Sequence, residues 1–265
     1  MTANITHWNE YHRRWSRIKT PLRPDADVVA AFTQALAGHN ERVLLLGVTQ
    51  ELANIGVHVT AIDRNASMIA NIWPGDTNAR RAFCGDWLAL PFDENEFTAA
   101  IGDGSLSAIQ YPADYRALFA QLAHVLKLGG IFACRLFLTP DEIESVEAAK
   151  VLALAGKIAS FHAFKWQFAM AMVQEARDPN IAVAAILDRF NVLFPDRAAL
   201  SAATGWSDVD IETIDVYKNS PDIYSFPMLA QLRETISETF RNIRLVQAGA
   251  YPLAERCPLI VMERA

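Results

Sequence analysis

The sequence predicts an α/β fold: a doubly wound, mostly parallel sheet with a C-terminal antiparallel hairpin and a helical cap insertion. Three observations predict it. Short apolar runs such as 43–46 and 57–63 alternate with helix-length amphipathic segments. The joints between them are short, as in strand–helix–strand units. The last two strand-like stretches, 243–253 and 258–265, are separated by too few residues for a crossover helix, so they must pair antiparallel.

Each element follows from local pattern. Trp8, Tyr11, Trp15 and Ile18 recur at helical spacing over 7–19 and give an amphipathic helix with an aromatic face. Pro21 and Pro24 break it. A helix resumes over 25–37, with Val28, Val29, Phe32 and Leu36 inward and Gly38 as its stop. Val43–Leu46 reads as a first strand buried on both faces. Glu51–Ala53 starts a short helix. "VHVTAID", 57–63, is β-branched and alternating, and forms the second strand. A short helix over 66–72 follows. "RRAFCGDWLAL", 80–90, gives a third strand and a turn, and a fourth strand begins at 97 and ends near Ile101. Residues 114–128 form the clearest helix, with Tyr115, Leu118, Phe119 and Leu122 on one face. Gly129 and Gly130 end it before a fifth strand, "IFACRLFL".

The rhythm changes after Leu138. Thr139, Pro140 and Glu142 have the pattern of a helix start: a cap, a first-turn proline and a capping-box acid. From there to about 204 the pattern is helical, and 161–173 and 181–194 are apolar on most sides. Residues 227–240 return to a helix before the hairpin. The expected organisation is an N-terminal helical segment over 1–38, an α/β core over 39–138, a helical cap or substrate region over 139–226, and a final helix and hairpin over 227–265 that complete the core.

Composition narrows the function. The 265 residues are 52% hydrophobic and 20% charged, which fits a globular chain with a substantial core. A net charge of −6 disfavours a nucleic-acid partner. Arg13, Arg14, Arg17, Lys19 and Arg23 make the N-terminus locally basic, and a solvated or ion-paired face is preferred to an acidic-ligand site. Cys84, Cys134 and Cys257 are too scattered for a disulfide framework or a zinc site. No apolar leader or membrane-length run is present, so cytoplasm is the expected location and no membrane partner is expected.

Four consecutive strand ends carry suggestive residues. In a doubly wound sheet the ligand lies beyond the C-terminal strand ends. Gly47 follows the first strand and permits close backbone approach or an unusual φ. Asp63 ends the second strand, where an acid accepts both hydroxyls of a ribose. Asp86 follows the third and suits an exocyclic adenine amine, with Trp87 or Leu88 against the ring. Gly102-Asp103-Gly104-Ser105 follows the fourth, where a reacting group would lie. Singly, each has a plain reading as a turn, a cap or core. The set is harder to explain by chance.

On these residues the chain resembles the class I S-adenosylmethionine-dependent methyltransferases over about 40–138 and 227–265. "VLLLGVTQEL" is similar to the family's first motif, with Gly47 as its first glycine and Val48-Thr49-Gln50 where an acid and further glycines are common. "VTAIDRNASMI" resembles the second motif, which implies a ribose role for Asp63 and an adenine contact for Met68. "AFCGDWLALPFDENEFTAAIGDGSLSAI" resembles the third and fourth, which implies Asp86 and Trp87 near adenine and Asp103 beyond the fourth strand. The resemblance implies a seven-stranded sheet, S-adenosylmethionine as cofactor, and methyl transfer to oxygen or nitrogen of a small or medium organic acceptor. Tyr11 is the expected N-terminal contact to the cofactor.

Candidate bases are few: His7 and His12 near the start, His162 and Lys165 in the cap, with His124 read as structural. Trp8, Tyr11 and Trp15 either cover the site or anchor their helix, and anchoring is preferred. "YKNSPDIYSFP", 217–227, is a candidate substrate loop through Tyr217 or Tyr224. No metal cluster is evident. A nicotinamide dehydrogenase would want G-x-G-x-x-G after the first strand, which Gly47–Leu52 lacks. An aminopropyl transferase would want an acid-rich site, and Asp103 has no convincing acid partner. A non-catalytic binding or scaffold protein with the same fold is the remaining alternative. Oligomeric state is left open.

Overall fold

The computed structural model describes residues 7–8, 12–236 and 239–265. In chain order the strands among them are β1 (Arg42–Leu46), β2 (His58–Asp63), β3 (Arg80–Cys84), β4 (Phe97–Asp103), β5 (Leu126–Arg135), β6 (Asn180–Ala182), β7 (Ile223–Ser225), β8 (Phe240–Val246) and β9 (Leu259–Arg264). Seven form one sheet in the order β3-β2-β1-β4-β5-β9-β8. β1 to β5 pair in parallel, and β9 runs antiparallel to both β5 and β8. The strand order reverses between β1 and β4, which places a crevice at their C-terminal ends.

Strand alternation divides the core into two layers. Val43 and Leu45 pack on one face with Phe32 and the cap helices, and Leu44 and Leu46 pack on the other with Tyr115, Phe119 and Leu122. This is why β1 reads as a continuous apolar run. Asp25 caps the helix Ala26–Ala35 through the Val28 amide, 3.0 Å away.

Several boundaries differ from expectation for identifiable reasons. Gly129 and Gly130 do not stop the helix Ala113–Val125; they lie inside β5. The β4–β5 register shifts between Phe97 and Ala99, a bulge. Gly129 adopts φ +74°, and a Cβ on Gly130 would lie 2.8 Å from the Lys127 carbonyl oxygen. Thr139 starts no helix. Its hydroxyl donates to the Phe226 carbonyl (2.7 Å), tying the segment after the sheet to the segment before the final helix. The first cap helix starts instead at Val146, capped by Ser145. In the hairpin, the predicted first arm over 243–253 is strand only to Val246, because the next residues turn inward and bring Tyr251 to Arg135. Of the helix expected over 7–19, the described residues hold a 3₁₀ turn, His12–Arg17, and Gln50–Leu52 is likewise 3₁₀.

The region after β5 contains the helices Val146–Leu154, Phe161–Ala176, Val183–Leu193 and Arg197–Thr204. It also holds a small β6–β7 pair that the helical pattern concealed. The helix Phe161–Ala176 is buried nearly all round and carries Lys165, which is 0% exposed. Lys165 Nζ lies 5.0 Å over the Tyr217 ring and has no hydrogen-bond partner among the described residues. Burial, assisted by Arg14, lowers its pKa from 10.5 to about 7. Between those values the unfolded chain holds a proton that the folded chain lacks, so this site's contribution to stability rises with pH from about 7 to 10.5. Lys165→Met is therefore expected to raise stability at pH 7 by about 1–2 kcal/mol and to flatten that slope. Thermal unfolding across the window measures both, and an unchanged slope would refute the assignment.

Candidate functional site

The C-terminal ends of β1 to β4 open into a cavity of about 320 Å³, within the range of small-ligand sites. Gly47 sits at its floor with φ +99°. Its N–H donates to the Ile62 carbonyl (2.8 Å), and the Trp87 indole N–H donates to the same oxygen (2.7 Å). This fixes the Trp87 ring beside Gly47. A Cβ on Gly47 would lie 3.8 Å from that ring and 3.9 Å from Asp63 Oδ2, inside the notch the three residues form. Gly47→Ala is expected to cost about 1–2 kcal/mol of stability from backbone strain and to weaken any ligand seated in the notch. Calorimetry and thermal unfolding of the variant check the two effects separately.

Asp63 Oδ1 accepts the Asn65 amide N–H at 2.8 Å, which orients the carboxylate. Burial raises its pKa to about 6, opposed by that amide and by Arg64. Asn65 also caps the next helix through the Met68 amide (3.0 Å), so the cap sits two residues beyond Asp63. Met68 is buried and lines the cavity. Asp86 is exposed and accepts the Leu88 amide at 2.9 Å; it lines the cavity with Trp87 and Leu88. Asp103 also lines it, but its carboxylate is held bidentately by Arg135 at 2.5 and 3.0 Å. Arg135 is 0% exposed and donates further to the Tyr251 hydroxyl (2.9 Å). Burial works against the Arg135 charge, and Asp103 with Tyr251 outweighs it, holding the guanidinium above its ordinary value. Sequence reasoning missed Arg135. A lone cation in the apolar run "IFACRLF" was the available signal.

Opposite the strand ends, the wall comes from the N-terminal segment and the cap. Trp8 and Trp15 are half-buried; both pack on the core and both line the cavity, so anchoring and covering coincide. Tyr11 lies outside the described residues. His7 is buried in a network: Nδ1 lies 2.8 Å from Asp222 Oδ2 and 3.0 Å from Ser220 Oγ, and Nε2 lies 2.7 Å from the Tyr224 hydroxyl. Tyr224 and Asp222 line the cavity, whereas Tyr217 is fully buried and is absent from its wall. His12 faces Ser67 at 3.2 Å, His124 is exposed on its helix, and His162 and Lys165 are buried away from the wall. Asp222 and Phe137 are wall residues that sequence reasoning did not single out. Among the described residues no group of three or more His, Cys, Asp or Glu is placed to hold a metal ion. No helix among them is long and apolar enough to cross a membrane.

Residues 47–134 match the family model for a methyltransferase domain, and they span the strand ends just described. The fold is that of the class I S-adenosylmethionine-dependent methyltransferases. Solved structures share the methyltransferase fold along nearly the whole chain. A Bradyrhizobium japonicum N-methyltransferase, NodS, solved with S-adenosylhomocysteine, is 11% identical, covers 98% of this chain and 99% of its own, and has a TM-score of 0.52. A Mesorhizobium loti S-adenosylmethionine-dependent methyltransferase is 13% identical over 91% of this chain and 99% of its own, with a TM-score of 0.52. A Rhodobacter sphaeroides protein named for the Zn-dependent alcohol dehydrogenases is 12% identical, covers 98% of both chains and has a TM-score of 0.58. At such identities the likeness concerns fold alone. No curated protein matches the sequence significantly. The methyltransferase domain implies S-adenosylmethionine as cofactor. The notch between Gly47, Asp63 and Trp87 fits it: an oriented carboxylate, an aromatic wall and a floor without a side chain.

Proposed function

We propose that this chain transfers the methyl group of S-adenosylmethionine to oxygen or nitrogen of a small or medium organic acceptor. The juxtaposition of the oriented Asp63 carboxylate with the Gly47 floor and the Trp87 ring carries the reading. In it, Asp63 binds the ribose hydroxyls. Gly47 and the turn after it receive the amino-acid portion. Asp86, Trp87 and Met68 receive adenine. Asp103 keeps its carboxylate on Arg135 and contributes its place in the wall, with the 103–105 backbone beside the reacting groups. Tyr11 retains its role as an N-terminal contact by position alone. The cofactor supplies an electrophilic methyl on a sulfonium. The chain's work is to bind it, orient the acceptor and exclude water.

The pairing of Asp103 with Arg135 disfavours the aminopropyl alternative, since the acid after β4 is not offered to a polyamine. Titration with S-adenosylmethionine and S-adenosylhomocysteine by calorimetry tests the reading. Micromolar binding is expected, about −8 kcal/mol at 1 μM. No heat and no thermal shift with either ligand would overturn it in favour of a non-catalytic scaffold.

A further inference from the structure

The cavity wall is unbalanced in charge. Among the described residues its charged side chains are Asp63, Asp86, Asp103, Asp114 and Asp222 against Arg64. Cofactor binding, as proposed, uses Asp63 and Asp86, and Arg135 satisfies Asp103. Asp114 and Asp222 remain. They flank one seam, where the loop 109–114 after β4 is stitched to the β6–β7 pair. There Ser225 Oγ donates to the Ile109 carbonyl (2.7 Å), and the Tyr111 amide donates to Asn180 Oδ1 (3.0 Å). Asp114 lies in the first turn of the helix Ala113–Val125, and Asp222 directly precedes β7. Asp114 Oδ2 accepts the Gln110 amide at 2.9 Å, and no cation lies within ion-pair distance of it among the described residues. Asp222 has Arg64 at 3.4 Å, but that side chain is 58% exposed, so water screens its charge. Burial pushes the Asp222 carboxyl up, and the His7 hydrogen bond, with Ser220 and Arg64, outweighs it and holds it below its ordinary value. The carboxylate is therefore ionised at neutral pH.

We propose that the methyl acceptor is an amine nitrogen, and that Asp114, Asp222 and the aromatic wall around Trp166 select it by stabilising the positive charge it gains. The inference rests on the methyltransferase reading above. Two observations favour this acceptor class. Carboxylates lining a cleft with low-dielectric walls attract a cation and repel an anion. The cap side of the same wall is aromatic: Trp166 lines it with Tyr224 edge-on at 5.1 Å and Phe137 tilted at 5.3 Å. Ring faces carry negative charge and take a cation where they offer an anion nothing comparable.

The step balances without a base. The amine reacts in its neutral form. Its lone pair forms the new bond to the methyl carbon, and the carbon–sulfur bond breaks with its pair on sulfur. Positive charge thus crosses from sulfur to nitrogen. It stays in the cavity until the nitrogen gives a proton to solvent or, for a tertiary amine, until the quaternary product leaves. A hydroxyl acceptor would follow a different course: its proton must be removed, and its oxyanion would form against carboxylates. Asp114 and Asp222 move no proton in this scheme. They determine which acceptor the cavity holds.

The probes are 4-hydroxyphenyltrimethylammonium and its uncharged isostere 4-tert-butylphenol, each titrated into the full chain loaded with S-adenosylhomocysteine. The two differ in charge and hardly in shape. The cation is expected to bind about tenfold tighter or more, the size of a desolvated cation–ring contact. Asp114→Asn is expected to narrow that preference by about threefold or more, the scale of a partly screened charge contact, and to leave the affinity for 4-tert-butylphenol unchanged. Asp222→Asn, a second test should the first variant misfold, is expected to do the same. A defect of folding would instead weaken both probes alike. Failure of the wild-type chain to bind S-adenosylhomocysteine would overturn the methyltransferase reading itself. With S-adenosylhomocysteine bound, the amine inference alone is overturned if the cation fails to bind, if it binds no tighter than the phenol, if its preference survives intact in the variants, or if the variants weaken both probes alike.

Discussion

Arg135→Ala is expected to cost about 3–5 kcal/mol of stability, the usual result of removing one partner from a buried ion pair. The reason is geometric. Arg135 and Asp103 end adjacent parallel strands, paired at the same register, and neither side chain reaches solvent: they are 0% and 3% exposed. The alanine leaves the Asp103 carboxylate at the edge of the cavity with no cation. Its pKa, already raised by burial and pulled back by Arg135, then rises further. A raised carboxyl pKa makes the folded state the stronger proton binder, so the variant loses stability as pH rises through its folded pKa. Urea denaturation at several pH values measures both the loss and its slope. The double variant Asp103→Leu with Arg135→Leu is expected to recover most of the loss. Equal loss in the single and double variants would show that packing of the arginine, and not its charge, is what matters.

Asp63→Asn is expected to act in two directions. On the proposed reading, in which Asp63 accepts the ribose hydroxyls, ligand affinity falls by about 100-fold or more, close to 3 kcal/mol, because that charged acceptor is lost. Stability without ligand rises. The Asp63 pKa is about 6 in the fold against 3.8 as its ordinary value, so the folded chain binds more protons in that window. The wild-type chain therefore loses stability as pH rises from about 4 to 6, and above pH 6 the charge is carried at full cost. The asparagine removes that cost, worth about 1–3 kcal/mol. Cofactor affinity of the wild-type chain is expected to fall as pH drops below about 6, where the carboxyl is protonated. Thermal unfolding of both proteins, with and without S-adenosylhomocysteine, checks the pair of effects. A variant that binds as the parent does would remove Asp63 from the ligand site.

The sheet was legible because its signals are local. Val43–Leu46 is a short apolar run, and a strand buried on both faces produces such a run by necessity. The terminal pair was legible because a short connection forbids a parallel arrangement. The β5 bulge was not, since a glycine pair after a helix has the same composition whether it ends the helix or kinks the strand. The β6–β7 pair was hidden because each arm has three residues, too few for periodicity to register. In the site, Gly47, Asp63, Asp86, Trp87 and Asp103 could be read from strand ends, and all lie on the cavity wall. What Asp103 does there could not, because its partner is 32 residues away in sequence. The His7–Asp222 contact spans 215 residues, and no local pattern reports a bond closed over that distance.

The Ile62 carbonyl accepts from both Gly47 and Trp87, so a single atom joins the ends of β1 and β2 to the loop after β3. A movement of Gly47 or Trp87 relative to Ile62 would alter a hydrogen bond to that oxygen. A carbon-13 label on the Ile62 carbonyl is therefore expected to report a ligand that displaces either of them, with no dye or substitution near the site.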